Sequence, residues 1–211
     1  MRVIAVGCEY TGVSALLDGL FAWGAERGMR FHLDDHFSIP DRYHLDAEDQ
    51  RTMSSLTPVL KERFQRMQLV YHIRVMQRHE HCLLGGFHIE EAVYGPRYYY
   101  PGREAAETRN YEFELPDDAI LIHLKAREVV IRARLESAPH DFNLIAADDI
   151  PALLEAFQAQ YAASNIRRKF EIDTSDLTPD QLLQTCLSEA QPYLNTRDML
   201  RLLDERLATS T

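Results

Sequence analysis

MRVIAVGCEYTGVSALLDGLFAWGAERG, residues 1–28, is the stretch whose reading decides the fold. Arg2 to Val6 is an apolar run too short for a helix, and Gly7 stops it, so it reads as a buried strand. From Val13 onward Leu16, Leu17, Leu20 and Trp23 keep helical spacing, and Gly28 supplies a stop after the last turn. A strand, a glycine-bearing loop and a helix therefore follow one another at the start of the chain.

The same alternation continues outward. Met29 to Leu33 predicts a second strand that ends in Asp34, Asp35 and His36. A long helix is expected over Ser55 to His79, with Leu56, Leu60, Phe64, Met67, Tyr71 and Val75 recurring on one face and most of them assigned to the core. Cys82 to Leu84 predicts a third strand, leading into Gly85, Gly86 and then His88, Glu90, Glu91 and the aromatic run Tyr94 to Tyr100. Residues 94–116, rich in proline, glycine and charge, read as an excursion able to cover a cleft. Ala119 to Leu124 is the fourth strand, followed by a charged helical stretch with Arg127, Arg132 and Arg134 and a lid around 125–145. A helix over Pro151 to Ser164 leads to the fifth strand, Phe170 to Asp173. Thr178, Pro179 and Gln181 occupy the N-cap, first-turn and capping-box positions of the next helix. A last helix is expected around 196–208, docked through Met199, Leu200, Leu203 and Leu207. No internal repeat interrupts this order. It predicts one α/β domain over residues 1–211, three layers deep, around a five-stranded and predominantly parallel sheet.

A chain of 211 residues that is 45% hydrophobic is long enough to bury a substantial core. Its 33 acidic residues against 23 Lys and Arg give a net charge of −10, which argues against extended nucleic acid or an anionic membrane as partner. MRVIAVGCEY has too short an apolar run for a signal peptide or a membrane span. Cys8, Cys82 and Cys186 are odd in number and widely spaced, which fits a reducing cytoplasm better than a disulfide framework.

Gly7, Cys8, Glu9, Tyr10, Thr11, Gly12, Val13 and Ser14 resemble the GxxxxGK[ST] phosphate loop of P-loop NTPases, with Val13 at the lysine position. Such a loop lets backbone amides and a helix N-terminus take up phosphate charge, and Ser14 is then the magnesium contact. HLDDHFSIP resembles the acidic strand end of P-loop nucleoside and small-metabolite kinases, which implies Asp35 as the base receiving the acceptor proton, with Asp34 second. CLLGGFHIEEAVYGPRYYY is similar to the third strand and acceptor pocket of deoxynucleoside and thymidylate kinase-like proteins. There Glu90 or Glu91 orders magnesium-bound water or binds the acceptor, and Tyr98 contributes to the pocket. LIHLKAREVVIRARL resembles the fourth strand and arginine-bearing lid of that group, with Arg132 and Arg134 as the fitting cations. FEIDTSDLTPDQL resembles the late strand near the donor base, so Asp173, Thr174 and Ser175 border adenine.

The resemblance implies ATP-dependent, magnesium-requiring phosphorylation of a nucleoside, a nucleotide or a similarly small hydroxylated metabolite. The alternative is a noncatalytic nucleotide-binding or interaction protein, since Val13 removes a charge that such loops use. A third reading, a metal hydrolase built on some of His32, His36, His79, His81 and His88, ranks lower because their spacing matches no ligand pattern. Oligomeric state stays open between a monomer and a homodimer.

Overall fold

The computed structural model describes residues 1–35, 46–103, 107–139 and 143–200, the side chains of Asp35 and Gln50 excepted. In chain order the elements are β1 (Arg2–Val6), α1 (Val13–Glu26), β2 (His32–Asp35), α2 (Ala47–Ser54), α3 (Pro58–Arg78), β3 (Cys82–Gly85), α4 (Phe87–Tyr94), β4 (Ala119–Lys125), α5 (Glu128–Ser137), α6 (Ile150–Ala163), β5 (Arg168–Asp173) and α7 (Pro179–Ala190). A π-helical turn, Gly95–Tyr99, continues α4, and a 3-10 turn, Thr108–Glu114, precedes β4.

The five strands run in the order β2-β3-β1-β4-β5 and every pairing is parallel. One row of the register reads Asp35, Gly85, Ala5, Ile122, Phe170. The first three belong to the carboxyl edge, where open α/β sheets bind their ligands. The period-2 alternation of the strands feeds two cores. Ile4, Val6 and Leu84 meet α3, α4 and α6 on one face, while Val3, Ala5 and Leu83 meet α1 and α7 on the other.

Three expectations change against this frame. The second strand starts at His32 rather than Met29. Met29 is spent on closing α1: its amide donates to Gly24 O at 2.9 Å, and Phe31 lies so close to Gly24 that a Cβ there would meet the ring at 2.3 Å. The long helix is present, but it is turned by about half a circle from the expected orientation. Its buried face is Glu62, Gln65, Leu69, His72, Ile73, Val75 and Met76, whereas Leu60, Phe64, Met67 and Tyr71 are exposed. Of the last helix, residues 196–200 are helical and the remainder lies outside the described residues. Because α3 leads directly into the start of β3, it runs antiparallel to that strand, and its N-terminal half stands above the carboxyl edge of the sheet.

Candidate phosphate-binding site

Between β1 and α1 the backbone makes a concave loop. Tyr10 and Gly12 have φ of 68° and 97°, the left-handed region, and Thr11 between them does not. Alternating hand turns successive N–H groups to one side, the geometry of an anion-binding nest. The loop opens into α1, whose first-turn amides and positive dipole end face the same space. Gly7 is required by contact: a Cβ would sit 2.5 Å from Thr11 Oγ1 and 2.6 Å from Leu124 O.

The loop is braced from distant parts of the chain. Thr11 Oγ1 donates to Cys8 O at 2.7 Å, and Thr174 Oγ1 donates to Thr11 O at 2.8 Å. Arg134 donates to Tyr10 O and to Thr174 O, each at 2.8 Å. Glu9 N donates to the Tyr94 hydroxyl at 2.8 Å, which ties α4 to the loop. Burial pushes the Cys8 thiol up to about 12, so it is not a thiolate nucleophile at neutral pH. The segment after α5 returns onto the loop: Tyr10 OH donates to Asn143 Oδ1 at 2.8 Å and Leu144 N donates to Glu9 Oε2 at 3.3 Å. Burial lifts the Glu9 carboxyl to about 7, against the amides of Leu144 and Ile145, which favour its ionised form.

Asp34 is buried, with His72 Nε2 at 3.1 Å and His32 Nε2 at 3.8 Å from its Oδ2. Asp35 ends β2, and its side chain, like His36 beyond it, lies outside the described residues. Glu90 accepts from the Tyr99 hydroxyl at 3.1 Å and lies against Gly86, where a Cβ would meet its Oε2 at 2.2 Å. Gly86 and the buried Phe87 both have positive φ, 75° and 53°. Backbone strain of this kind is stored in the turn that presents Glu90. Glu91 is buried and accepts from the Tyr100 hydroxyl.

The structure thus gathers Gly7 to Ser14, Arg134 and Thr174 into one assembly, with Glu90 on the helix tied to it. The others are engaged elsewhere. Arg132 pairs with Glu128 one turn back on α5, Nε to Oε1 2.7 Å. Tyr98 donates to Asp149 at 2.7 Å. Ser175 Oγ accepts from Arg127 N at 2.9 Å and donates to Asp173. Arg134 and Thr174 act through the loop's backbone, which neither a lid cation nor an adenine border would require.

Sequence reasoning missed the inner face of α3. Glu62 pairs with Arg66 at 2.5 Å and with Arg103, and these residues with Gly102 line a hollow of about 430 Å³. Between that hollow and His72 lies Gln65, fully buried, with neither amide atom hydrogen-bonded among the described residues. No local pattern marks such a residue, because α3 packs on α4 and the turns after it, which lie far along the chain.

Magnesium fits the donor set on offer: Ser14, in the first turn of α1, supplies a hydroxyl oxygen of the hard kind that ion takes. The histidine-based metal reading does not survive in the described residues. His88 bonds Glu112, Nε2 to Oε1 2.7 Å, His81 Nδ1 lies 2.8 Å from the Met1 nitrogen, and His32 stacks on His79. No group of three or more His, Cys, Asp or Glu there could hold a metal. Nor is any helix among the described residues long and apolar enough to cross a membrane.

No protein-family model and no curated protein matches the chain. Solved structures do. The YorR protein of Bacillus subtilis, in complex with phosphorylated GDP, superposes with a TM-score of 0.60 at 16% identity, over 92% of this chain and 99% of that one. The fold is that of the P-loop kinases. Thymidylate kinase from Candida albicans also gives a TM-score of 0.60, at 13% identity over 90% of this chain and 91% of its own. Deoxyadenosine kinase from M. mycoides, with bound dATP, gives 0.53 at 11% identity over 90% and 98%. At 11% to 16% identity the likeness is one of fold, and the residues hung on it are this chain's own.

Proposed function

We propose that the chain is an ATP-dependent phosphotransferase acting in the cytoplasm on a nucleoside, a nucleotide or a similarly small hydroxylated metabolite. The observation that carries this reading is the braced nest of Gly7 to Ser14, set on the same sheet edge as the carboxylates of Asp34 and Glu90. Donor phosphates lie on the nest amides and the α1 N-terminus. The acceptor hydroxyl attacks the γ-phosphorus, the bond to the β–γ bridging oxygen breaks, ADP leaves, and the acceptor proton passes to Asp35, or to Asp34 beside it. Bound through the donor phosphates and Ser14, magnesium would offset charge on the transferred group. The acceptor lies under α3. A buried amide presents a donor and an acceptor side by side, which matches the edge of a nucleobase, and Gln65 has both unspent among the described residues. The hollow at Arg66 and Arg103, two cations to one Glu62, favours an acceptor that already bears a phosphate.

A second reading, nucleotide binding without transfer, is supported by a specific observation. Val13 brings no charge, and Arg132, Arg134 and Lys125 all have protein partners, Lys125 Nζ lying 3.1 Å from Glu171 Oε2. The test is a screen of nucleosides, nucleoside monophosphates and small hydroxylated metabolites with ATP or GTP and magnesium, scored by phosphorylated acceptor. The expected outcome is transfer, reduced at least 100-fold by Asp35→Asn with nucleotide affinity retained, in line with the usual weight of a general base. Gln65→Leu should raise the acceptor KM while making the free protein more stable, because a buried amide without partners costs roughly 1–3 kcal/mol. Nucleotide binding with no acceptor phosphorylated anywhere in the screen makes the second reading the correct one.

A further inference from the structure

Gly95–Tyr99, the π-helical turn that continues α4, is closed by Tyr100 N donating to Gly95 O at 2.9 Å. Such turns are rare and recur at functional sites. The tyrosines around this one are pinned. Tyr94 OH accepts from Glu9 N in the phosphate loop at 2.8 Å, Tyr98 OH donates to Asp149 at 2.7 Å, Tyr99 OH donates to Glu90 at 3.1 Å and Tyr100 OH donates to Glu91. The rings of Tyr94 and Tyr98 meet edge-on at 5.6 Å. Arg97 is different. It is exposed and has neither a hydrogen bond nor an ion pair among the described residues. Its charge acts on the Tyr98 hydroxyl, which also lies within electrostatic reach of Cys8 in the loop.

The turn also joins the two sides of the site. Tyr94 ties its start to the phosphate loop, and just beyond its end Arg103 pairs with Glu62 at the hollow beside α3. We propose that Arg97 supplies the cation that Val13 leaves missing from the loop: its guanidinium contacts the donor's γ-phosphate and stays with that group on its way to the acceptor. Charge requires such a group. Glu9, Asp34 and Glu90 stand on this edge of the sheet, and a loop without lysine offers only amide dipoles. Arg127, Arg132, Arg134 and Lys125 are committed to protein partners. A guanidinium suits the place because it grips phosphate oxygens in pairs and stays protonated. Transfer itself is the phosphotransferase reading above, on which the second half of this role rests. There the acceptor oxygen bonds to phosphorus, the bridging P–O bond breaks, its electron pair leaves with ADP, and the acceptor proton goes to the carboxylates ending β2. Arg97 moves no proton and offsets charge on the equatorial oxygens. Contact with the γ-phosphate is expected of it whether or not transfer follows.

The experiment compares the β,γ-imido analogue of ATP with ADP, each with magnesium, by calorimetry on the full chain. Wild type should bind the analogue more tightly. Arg97→Met should lose roughly tenfold for the analogue, the weight of a hydrogen bond to a charged group, with ADP unchanged. In the acceptor screen Arg97→Met should also slow transfer about 1,000-fold, the lower end of what an arginine on the transferred group supplies. Adding Val13→Lys to Arg97→Met should restore part of both. Arg167→Met is the control: Arg167 is exposed just ahead of β5, at the amino edge of the sheet, and its loss should leave both affinities unchanged. Arg97→Gln is the companion variant if Arg97→Met does not fold. Equal affinity of wild type for the two nucleotides overturns the proposal, and so does a preference for the analogue that Arg97→Met leaves unchanged. Transfer by wild type that Arg97→Met does not slow removes Arg97 and keeps the phosphotransferase reading. Acceptor phosphorylation absent throughout, with the analogue still preferred through Arg97, removes that reading and keeps the γ-phosphate contact.

Discussion

Glu9 is the side chain whose chemistry the fold alters most usefully for experiment. Burial raises its carboxyl from 4.5 to about 7, the Leu144 and Ile145 amides offsetting only part of that cost. The folded chain therefore holds the proton more tightly than the unfolded one. Stability from this group is fully present below the unfolded value near 4.5 and is lost as pH rises through the folded value near 7. At 1.36 kcal/mol per pKa unit the loss reaches about 3 kcal/mol. Urea unfolding between pH 5 and pH 8 should show that fall in wild type, and Glu9→Gln, which keeps the acceptor oxygen but cannot ionise, should be flatter and more stable at pH 8. Equal slopes for the two proteins would mean that Glu9 is better solvated than its surroundings indicate.

At the level of elements, α7 illustrates what local sequence specifies. Thr178 accepts from Gln181 N at 3.3 Å while the Gln181 side chain accepts from Thr178 N at 2.9 Å, so the reciprocal box predicted from Thr178, Pro179 and Gln181 is formed. Thr178→Ala should cost about 1 kcal/mol, read as a lowered melting temperature with nucleotide affinity unchanged. The strand–loop–helix opening was legible for the same reason: Gly7, Gly12 and the Leu16–Trp23 period are local instructions. The orientation of α3 was not. Periodicity identifies residues that share a face but not what that face meets, and here the stripe Leu60, Phe64, Met67 and Tyr71 is outward, while a mixed face of Leu69, Ile73, Val75 and Met76 with Glu62, Gln65 and His72 is inward. The start of β2 was misplaced because Met29 and Phe31 answer to Gly24 in space rather than to their own neighbours. Candidate lid residues divided along the same line. An arginine on a helix can reach an adjacent carboxylate, as Arg132 does, or a loop far away in sequence, as Arg134 does, and nothing in IRARL separates the two.

For the whole molecule, the sheet order β2-β3-β1-β4-β5 places β1 at the centre, with the chain leaving it to both sides. The nest lies at that reversal of strand order, where ligands of open α/β sheets bind. The two cores, α1 and α7 on one face and α3, α4 and α6 on the other, hold the sheet between them. Arg134 adds a constraint of a different kind. Its guanidinium joins Tyr10 to Thr174, reaching 124 residues back along the chain in one direction and 40 forward in the other. Contacts of such separation close long loops and form late. The loop between β1 and α1 is therefore among the last segments to become competent. In stopped-flow refolding, capture of a fluorescent ATP analogue should coincide with the slowest phase, after the far-ultraviolet signal has recovered. Arg134→Ala should uncouple the two, leaving a protein that regains its helices on schedule yet takes up nucleotide weakly at any time.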